Sequence, residues 1–351
     1  MHPSRQSLVL ALAVLVALAG CSALSGPTAT PPEPRDLPGT GTPTVERLSV
    51  QPPGVTDTDV NETRLLGAHY RALEATTWRE HLVTRRDGAV ATGVTVVRNG
   101  THSWVRRQGA GESLTYVAGN ATARRVGGEG NATYRYRHEA GGTTTALSGG
   151  VSLGLVVYFT SGAYSPTAVE QYEGDPVVTL VARGAGPGGY GPAYTAYNAT
   201  ALVDERGVVR SLRGAVRTGE DDPATRFSYT AATDAGPVQP PDWLDTLPQG
   251  RAALVADGRV LRVTLAGGPR VPAGTTVTLA ANGTAYTVSL DVPAGPGDTL
   301  YLGVTEGRAT VSRSLAEATR GQALRPDTSL TVPASGPRDA GRAESVFVAG
   351  E

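Results

Sequence analysis

Hydrophobic and polar residues alternate along much of the chain, beginning at Arg79. A period of two places successive side chains on opposite faces of a strand, so this pattern predicts β-structure. The pairs Asp87-Gly88 and Asn99-Gly100 separate alternating runs, and such pairs are strong signals for tight hairpins. The stretch ALVDERGVVRSLR predicts another hairpin around residues 205–207. We therefore expect an antiparallel meander.

Two segments depart from this alternation. The stretch NETRLLGAHYRALEATTW, which begins at Asn61, has apolar residues near helical spacing and predicts one amphipathic helix, capped by Asn61 or Thr63. We interpret His69 on this helix as an interface residue rather than a metal or ligand contact. The segment from Ser148 to Tyr164 is the most apolar internal stretch. It is shorter than the roughly 20 residues that span a bilayer, so it predicts a buried helix or a lid.

The pattern of apolar and turn-forming residues changes after Gly250. Short apolar runs recur every eight to twelve residues and are separated by glycine- and proline-rich turns. That spacing predicts a small β-sandwich of immunoglobulin-like character over residues 249–335. We expect residues 336–351 to form a disordered tail.

The N-terminal segment has the organisation of a secretion signal. An apolar run, LVLALAVLVALAG, follows a short segment that contains Arg5, and the run is too short to span a membrane. Leu18 to Cys21 resembles the lipobox of secreted lipoproteins. The resemblance implies that residues 1–21 are a lipoprotein signal peptide and that Cys21 carries the lipid. An ordinary cleaved signal peptide with an incidental cysteine is the alternative.

Beyond Cys21, residues 22–58 are rich in proline, threonine and glycine and have no apolar period, which predicts a disordered tether. With Cys21 as a lipid anchor, we expect the protein to lie on the extracytoplasmic face of the cell membrane and to hold its folded part away from the bilayer.

Composition and charge add three observations. The net charge of −1 gives no basic field for nucleic acid, and all 31 basic residues are arginine. Every asparagine lies in an N-x-T triplet, so each is a candidate N-glycosylation site on a secreted chain: Asn61, Asn99, Asn120, Asn131, Asn198 and Asn282.

The helix, the meander, the apolar segment and the hairpin VDERGVVRSL, followed by PPDW, resemble a group of haloarchaeal surface lipoproteins over residues 59–248. Those proteins resemble the LolA/LppX type of half-barrel lipoprotein. The resemblance implies a mainly β (α+β) fold, with a helix packed on the concave face of a curved antiparallel half-barrel sheet, followed by the β-sandwich. It also implies that the hollow holds a lipid-like apolar ligand. The candidate pocket residues are Leu66, Leu73, Leu153, Leu155, Val156, Tyr158 and Phe159.

Motifs for catalysis are absent from the sequence. The histidines have no zinc-ligand spacing, and no G-x-S-x-G motif occurs. GPGGYG (186–191) lacks the lysine of a phosphate-binding loop, and GEDDP (219–223) lacks the calcium-loop pattern, so both predict solvent-exposed turns. We therefore expect no catalytic residue, no metal site and no cofactor.

The sequence favours two functions over a third. One is a membrane-anchored lipoprotein that binds or carries an apolar ligand. The other is a structural or adhesive glycoprotein of the cell envelope, with other envelope proteins as its partners. An envelope enzyme is a third and less favoured reading. It would need titratable groups that converge in a cleft.

Overall fold

The protein is mainly β, with large antiparallel sheet structure and few helices, as a computed structural model of the chain shows. The structure describes residues 48–109, 111–128, 130–139, 149–186, 193–318, 321–337 and 340–350. The mainly β content and the few helices confirm the predicted fold class, a curved sheet with a packed helix. Cys21 lies outside the described residues, as does most of the predicted loop at 186–191.

The described residues divide into two compact units. Unit 1 comprises residues up to 94, residues 108–109 and residues 150–233, and unit 2 comprises residues 95–107, 111–149 and those from 234 onward. The boundary falls inside strand β2 (Ala89–Asn99).

Unit 1 is a sheet of antiparallel strands, and both of its helices pack on the face of β1 (Trp78–Arg86) that carries Glu80 and Leu82. The strand order is β1-β11-β10-β9-β8-β7. The helices are α1 (Glu62–Glu74) and α2 (Gly149–Thr160), and the strands are β1 (Trp78–Arg86), β7 (Gly162–Tyr172), β8 (Asp175–Ala185), β9 (Ala196–Asp204), β10 (Val209–Arg217) and β11 (Thr225–Thr233).

Unit 2 contains the remaining strands in two sheets. One has the order β15-β14-β18-β19-β6-β5-β4-β3 and the other β12-β13-β16-β17. The strands are β3 (His102–Gln108), β4 (Ser113–Ala118), β5 (Ala121–Val126), β6 (Ala132–Glu139), β12 (Gln249–Val255), β13 (Val260–Gly267), β14 (Thr276–Ala281), β15 (Thr284–Ser289), β16 (Thr299–Thr305), β17 (Arg308–Ser312), β18 (Ser329–Ala334) and β19 (Ala340–Val348), with a short helix α3 (Leu315–Ala318). A 3-10 turn covers Asp242–Thr246.

Local sequence signals account for several element ends. The Asn61 side chain accepts a hydrogen bond from the backbone N–H of Arg64 at 2.9 Å, which confirms Asn61 as the N-cap of α1. Asp87 and Gly88 both have positive φ, as the tight turn between β1 and β2 requires. The apolar segment forms α2 as predicted, but the helix ends at Thr160 and Tyr164 already belongs to β7.

The division of the chain differs from the predicted boundary at residue 248. Within unit 2, the apolar core joins Tyr134 and Tyr136 of β6 to Leu261 and Val263 of β13 and to Leu279 of β14. Residues 249–335 do form strands in two sheets, but β19 pairs with β6, so these strands share one core with the meander. The predicted β-sandwich is therefore not a separate domain.

The predicted tail at 336–351 also differs from the structure. Residues 340–348 form β19, which pairs with β18 on one side and runs parallel to β6 on the other. Phe347 is fully buried, because it belongs to the unit 2 core. Burial of this apolar side chain, together with the paired backbone, holds in place a segment that composition alone marked as a tail.

The predicted tether at 22–58 can be compared with the structure only from Leu48 onward. Leu48 and Val55 are buried, and the backbone N–H of Leu48 donates to Asp57 Oδ1 at 3.0 Å. Val55 also forms a β-bridge with Val60. The last residues of the predicted tether are therefore packed into unit 1, since two apolar side chains within the proline-rich stretch are buried there.

The helices of the described segments are all shorter or more polar than a helix that crosses a bilayer.

Replacing Phe347 tests the role of β19. We expect Phe347→Ala to lower the free energy of unfolding by about 3–5 kcal/mol, because a fully buried aromatic side chain is lost and a cavity is left. Urea denaturation measures the change. Val292→Ala, at a 49% exposed position, is the control and should stay within about 0.5 kcal/mol of wild type. Equal stabilities for the two variants would show that β19 does not contribute to the core.

Candidate functional site

A buried polar cluster lies between α1 and the sheet of unit 1. It contains His69 from α1, Glu80 from β1 and Tyr229 from β11, each at most 1% exposed. The Tyr229 hydroxyl donates to Glu80 Oε1 at 2.7 Å, and its oxygen lies 3.1 Å from His69 Nε2. Burial, with the nearby Glu80 second, raises the pKa of Tyr229 well above its usual value, so this phenol keeps its proton.

The other ring nitrogen of His69 is also satisfied. The backbone N–H of Val209 donates to His69 Nδ1 at 3.2 Å. The pairing of β10 with β9 is irregular between Val209 and Ser211, and at such a bulge a backbone donor loses its regular ladder partner. His69 supplies the acceptor, so Nδ1 carries no proton and Nε2 donates to Tyr229. The cluster thus docks α1 onto the irregular part of the sheet.

One atom of this cluster has no hydrogen-bond partner among the described residues. Glu80 Oε2 is buried and unpaired, although Oε1 accepts from Tyr229. The Glu80 and His69 side chains lie 3.5 Å apart at their closest polar atoms. Because all three side chains are enclosed, the arrangement fixes the helix and offers no route to a substrate.

Aromatic side chains fill the space between α2 and the sheet. Tyr158 stacks on Phe227 with ring centroids 4.2 Å apart, and Phe159 stacks on Tyr164 at 4.6 Å. The Tyr197 hydroxyl donates to the backbone carbonyl of Tyr158 at 2.5 Å and lies 2.7 Å from the Tyr164 hydroxyl. The rings are stacked and the Tyr164 and Tyr197 hydroxyls are hydrogen-bonded, which is typical of a specific core.

Two glycines bring the backbone close to this layer. A methyl group on Gly154 of α2 would lie 2.2 Å from Leu82 Cδ2, and one on Gly214 of β10 would lie 2.5 Å from Phe227 Cζ. The backbone of α2 therefore rests directly on the Leu82 side chain of β1. Between Gly154 and Leu82 there is no room for a ligand.

The outer side of α2 is apolar but is not covered by the sheet. Leu153 is 48% exposed, Val156 and Val157 are half-buried, and α2 contains no acidic residue in its first turn or basic residue in its last. The Thr160 hydroxyl donates to the backbone carbonyl of Val156 at 2.7 Å, so even this polar group points back at the helix. Positions 153, 156, 157 and 160 follow helical spacing and form one stripe, which we call the α2 apolar stripe.

The structure separates the seven predicted pocket residues into two groups. Four are core residues, each at most 6% exposed: Leu66, Leu73, Leu155 and Phe159. Leu153 is exposed, whereas Val156 and Tyr158 are half-buried. Only Leu153 and Val156 lie on the α2 apolar stripe, because Tyr158 stacks on the sheet-side ring of Phe227.

The predicted glycosylation sites lie at turns, at the end of β2, at the N-cap of α1 and within β9. Four of the six asparagines are exposed: Asn61, Asn120, Asn131 and Asn198. Asn99 and Asn282 are half-buried, and the Asn282 side-chain nitrogen donates to the carbonyl of Ala323 at 2.8 Å. That bond uses one of the two hydrogens on the nitrogen that a glycan would modify.

The acidic turn at 219–223 forms hydrogen bonds within itself. The Thr218 hydroxyl donates to Asp222 Oδ2 at 2.5 Å, and the backbone N–H of Asp222 donates to the carbonyl of Gly219 at 3.3 Å. Among the residues that the structure describes, no three His, Cys, Asp or Glu side chains come together as a metal site.

Sequence reasoning did not single out Glu80 and Tyr229. The period-two pattern of β1 could have indicated that Glu80 is buried. Trp78, Glu80 and Leu82 lie on one face of the strand, and all three are buried. A carboxylate at the centre of an apolar alternation indicates a buried partner. No local pattern could identify that partner as Tyr229, 149 residues further along the chain.

Comparison with known proteins gives only weak likenesses. No protein-family model matches the chain, and no curated protein matches it. Among solved structures, the Pseudomonas aeruginosa MucA/MucB complex is similar at a TM-score of 0.25 with 15% identity, covering 76% of this chain and 98% of that one. A DUF1329 family protein from Desulfovibrio piger is similar at a TM-score of 0.19 with 9% identity, covering 54% and 96%. TM-scores this low carry no argument about function.

The hydroxyl of Tyr229 can be removed with little change in shape. We expect Tyr229→Phe to lower the free energy of unfolding by about 1–3 kcal/mol, because Glu80 Oε1 loses its donor in a buried site. Chemical denaturation checks this value. Tyr172→Phe is the matched control, since Tyr172 is only half-buried in unit 1. A Tyr229→Phe variant as stable as wild type would contradict a structural role for the cluster.

Stability should depend on the protonation of the buried phenols. Burial, with Tyr194 as the second cause, raises the pKa of Tyr158 to about 12 from its usual 10.0. In the unfolded chain the phenols ionise near pH 10. The protonated, buried Tyr158 therefore contributes its full share to the free energy of unfolding below about pH 10, and this contribution is lost as the pH rises toward 12. Urea denaturation at increasing pH, with tyrosinate absorbance recorded in parallel, should show this decline. Ionisation of all the tyrosines with a midpoint near pH 10 in the folded protein would contradict it.

Proposed function

We propose that the protein is a lipid-anchored, extracytoplasmic binding protein without enzymatic activity, and that it binds an apolar, lipid-like ligand on the α2 apolar stripe. The observation that carries this proposal is the exposure of Leu153, at 48%, on a helix with an apolar outer side. A helix that is apolar all round is usually buried on all sides. In α2, by contrast, the outer side is exposed to solvent and is available to a ligand.

The proposed site is on the outside of α2 rather than beneath it. Gly154 rests on Leu82, and the rings of Tyr158 and Phe227 are stacked, so the inner side of the helix is occupied by the protein itself. The half-buried Val156 and Val157 flank Leu153 at helical spacing and extend its surface. An acyl chain that lies along this stripe would gain about 25 cal/mol for each square ångström of apolar surface removed from water.

The chemistry of the stripe supports an apolar ligand over a polar one. The hydroxyls of Thr160 and Ser161 donate to the backbone carbonyls of Val156 and Val157, at 2.7 and 2.6 Å. Neither hydroxyl donor is therefore free to bind a polar group. A polar or charged ligand would lose its hydration here without replacement hydrogen bonds.

The proposed location follows from the N-terminal sequence. Cys21 is the only cysteine, and it follows a lipobox-like stretch, so it would carry the lipid that holds the chain on the outer face of the membrane. The exposed sequons at Asn61, Asn120, Asn131 and Asn198 are in keeping with an exterior location. A structural or adhesive envelope glycoprotein would share these features but would not need a ligand site.

A fatty-acid titration tests the ligand site. The full chain with Cys21→Ser, which carries no lipid, is titrated with a pyrene-labelled fatty acid while fluorescence is recorded. We expect Leu153→Ser to weaken binding about tenfold or more, because an apolar side chain of this size contributes about 1.5–3 kcal/mol when it is covered. The melting temperature should not change, since Leu153 is exposed in the free protein.

Leu315→Ser is the matched control, because Leu315 is a leucine of unit 2 with 39% exposure. It should bind the probe as wild type does. Equal affinities for Leu153→Ser and wild type would exclude the α2 apolar stripe as the site. A wild-type protein that binds no probe would favour the structural glycoprotein.

A further inference from the structure

Unit 2 gathers arginines on one face of its meander sheet. Arg107 lies opposite Ser113, and Arg124 lies opposite Thr115 and Arg135, so these side chains share one face of β3 to β6. The parallel pairing of β19 adds Arg342 and Glu344 to the same face. We call this set the arginine face: Arg107, Arg124, Arg135, Arg137 and Arg342.

Two carboxylates neutralise part of this face. Glu344, which is nearly buried, accepts from Arg135 Nε at 2.6 Å and pairs with Arg342 at 2.7 Å. Glu139 pairs with Arg137 at 3.1 Å. Five arginines and two glutamates leave an excess of three positive charges among the described residues of this face, although the whole chain has a net charge of −1.

Arg124, like Arg107, is less compensated than the other three arginines. It lies directly opposite Arg135 on the neighbouring antiparallel strand, and like charges in that position are destabilising. It has no ion pair among the residues that the structure describes. Burial, with the charge of Arg124 second, lowers the pKa of Arg107, which indicates that the two guanidinium groups are neighbours. An anion placed over them would relieve this repulsion.

Four of the five side chains are exposed, and Arg107 is half-buried opposite the buried Ser113. Arg135, Arg137 and Arg342 expose 53%, 47% and 70% of their side chains, and Arg124 is also exposed. Guanidinium groups bind phosphate oxygens in bidentate geometry, and the exposed arginines of β5, β6 and β19 lie on adjoining strands of one sheet face. Several phosphates side by side match that arrangement better than a single ion does.

We propose that the arginine face of unit 2 binds the phosphate headgroups of an anionic membrane surface. This contact uses neither the lipid anchor nor the α2 apolar stripe, so it can be tested in a chain that carries no lipid. Basic side chains near an anionic bilayer each strengthen binding by about fivefold, and salt weakens the effect.

Vesicle co-sedimentation tests the proposal. The full chain with Cys21→Ser, which has no attached lipid, is mixed with vesicles of phosphatidylcholine alone or with added phosphatidylglycerol, at low and high salt. We expect binding that requires phosphatidylglycerol and is lost at high salt. The double variant R107Q/R124Q should bind about 25-fold more weakly, because two charges are removed.

The variant R262Q/R308Q is the control. It removes two exposed arginines of unit 2 that make no ion pair within the described residues, and it changes the net charge equally. It should bind nearly as wild type does. Equal binding by the two double variants, or equal binding of wild type to neutral vesicles, would overturn the proposal.

Two further measurements separate the alternatives. The melting temperature of R107Q/R124Q should equal or exceed that of wild type, since a repulsion is removed. A marked decrease would show that Arg107 and Arg124 stabilise the fold, which contradicts an uncompensated face. Inorganic phosphate should not raise the melting temperature at concentrations where vesicles bind. A rise without vesicle binding would assign the face to a free anion instead of a membrane.

Discussion

The direct packing of α2 on β1 is the constraint on which the organisation of unit 1 depends. Gly154 has no side chain, so the helix backbone rests on Leu82, and the adjacent rings of Tyr158 and Phe227 stack in the remaining space. Once the inner side of the helix is filled in this way, the surplus apolar residues face outward. The exposure of Leu153 is thus a consequence of close packing, and it is this exposure that defines the proposed ligand site.

The first helix is held by a different kind of interaction. His69 Nδ1 accepts a hydrogen bond from the backbone N–H of Val209 at a bulge, and Nε2 is hydrogen-bonded to the Tyr229 hydroxyl. That hydroxyl in turn donates to Glu80. Each hydrogen bond satisfies a buried polar group. Leaving such a group unpaired would cost about 1–3 kcal/mol. A histidine in a buried polar cluster can suggest catalysis, but here its partners lie on the sheet beneath α1 and the cluster is enclosed. Its role is to position the helix.

Charge distribution in unit 2 cannot be read from composition. A net charge of −1 and a chain without lysine suggest no particular partner. Strand pairing nevertheless sets Arg124 opposite Arg135 and brings Glu344, from a distant part of the chain, to neutralise only some of the arginines. The local excess of positive charge follows from register, which is decided by the pairing of whole strands.

Local patterns in the sequence determined the elements: the Asn61 cap and the spacing of α1, the Asp87-Gly88 turn, the apolar length of α2 and the period-two strands each follow from interactions within a few residues. Only the tertiary structure decided how those elements combine. Burial of Phe347 in the unit 2 core made a strand of the expected tail, and long-range pairing of β19 with β6 joined the expected sandwich to the meander. It also divided the predicted pocket residues between core and surface. Periodicity tells which side chains share a face of an element, but burial depends on what the rest of the chain packs against that face.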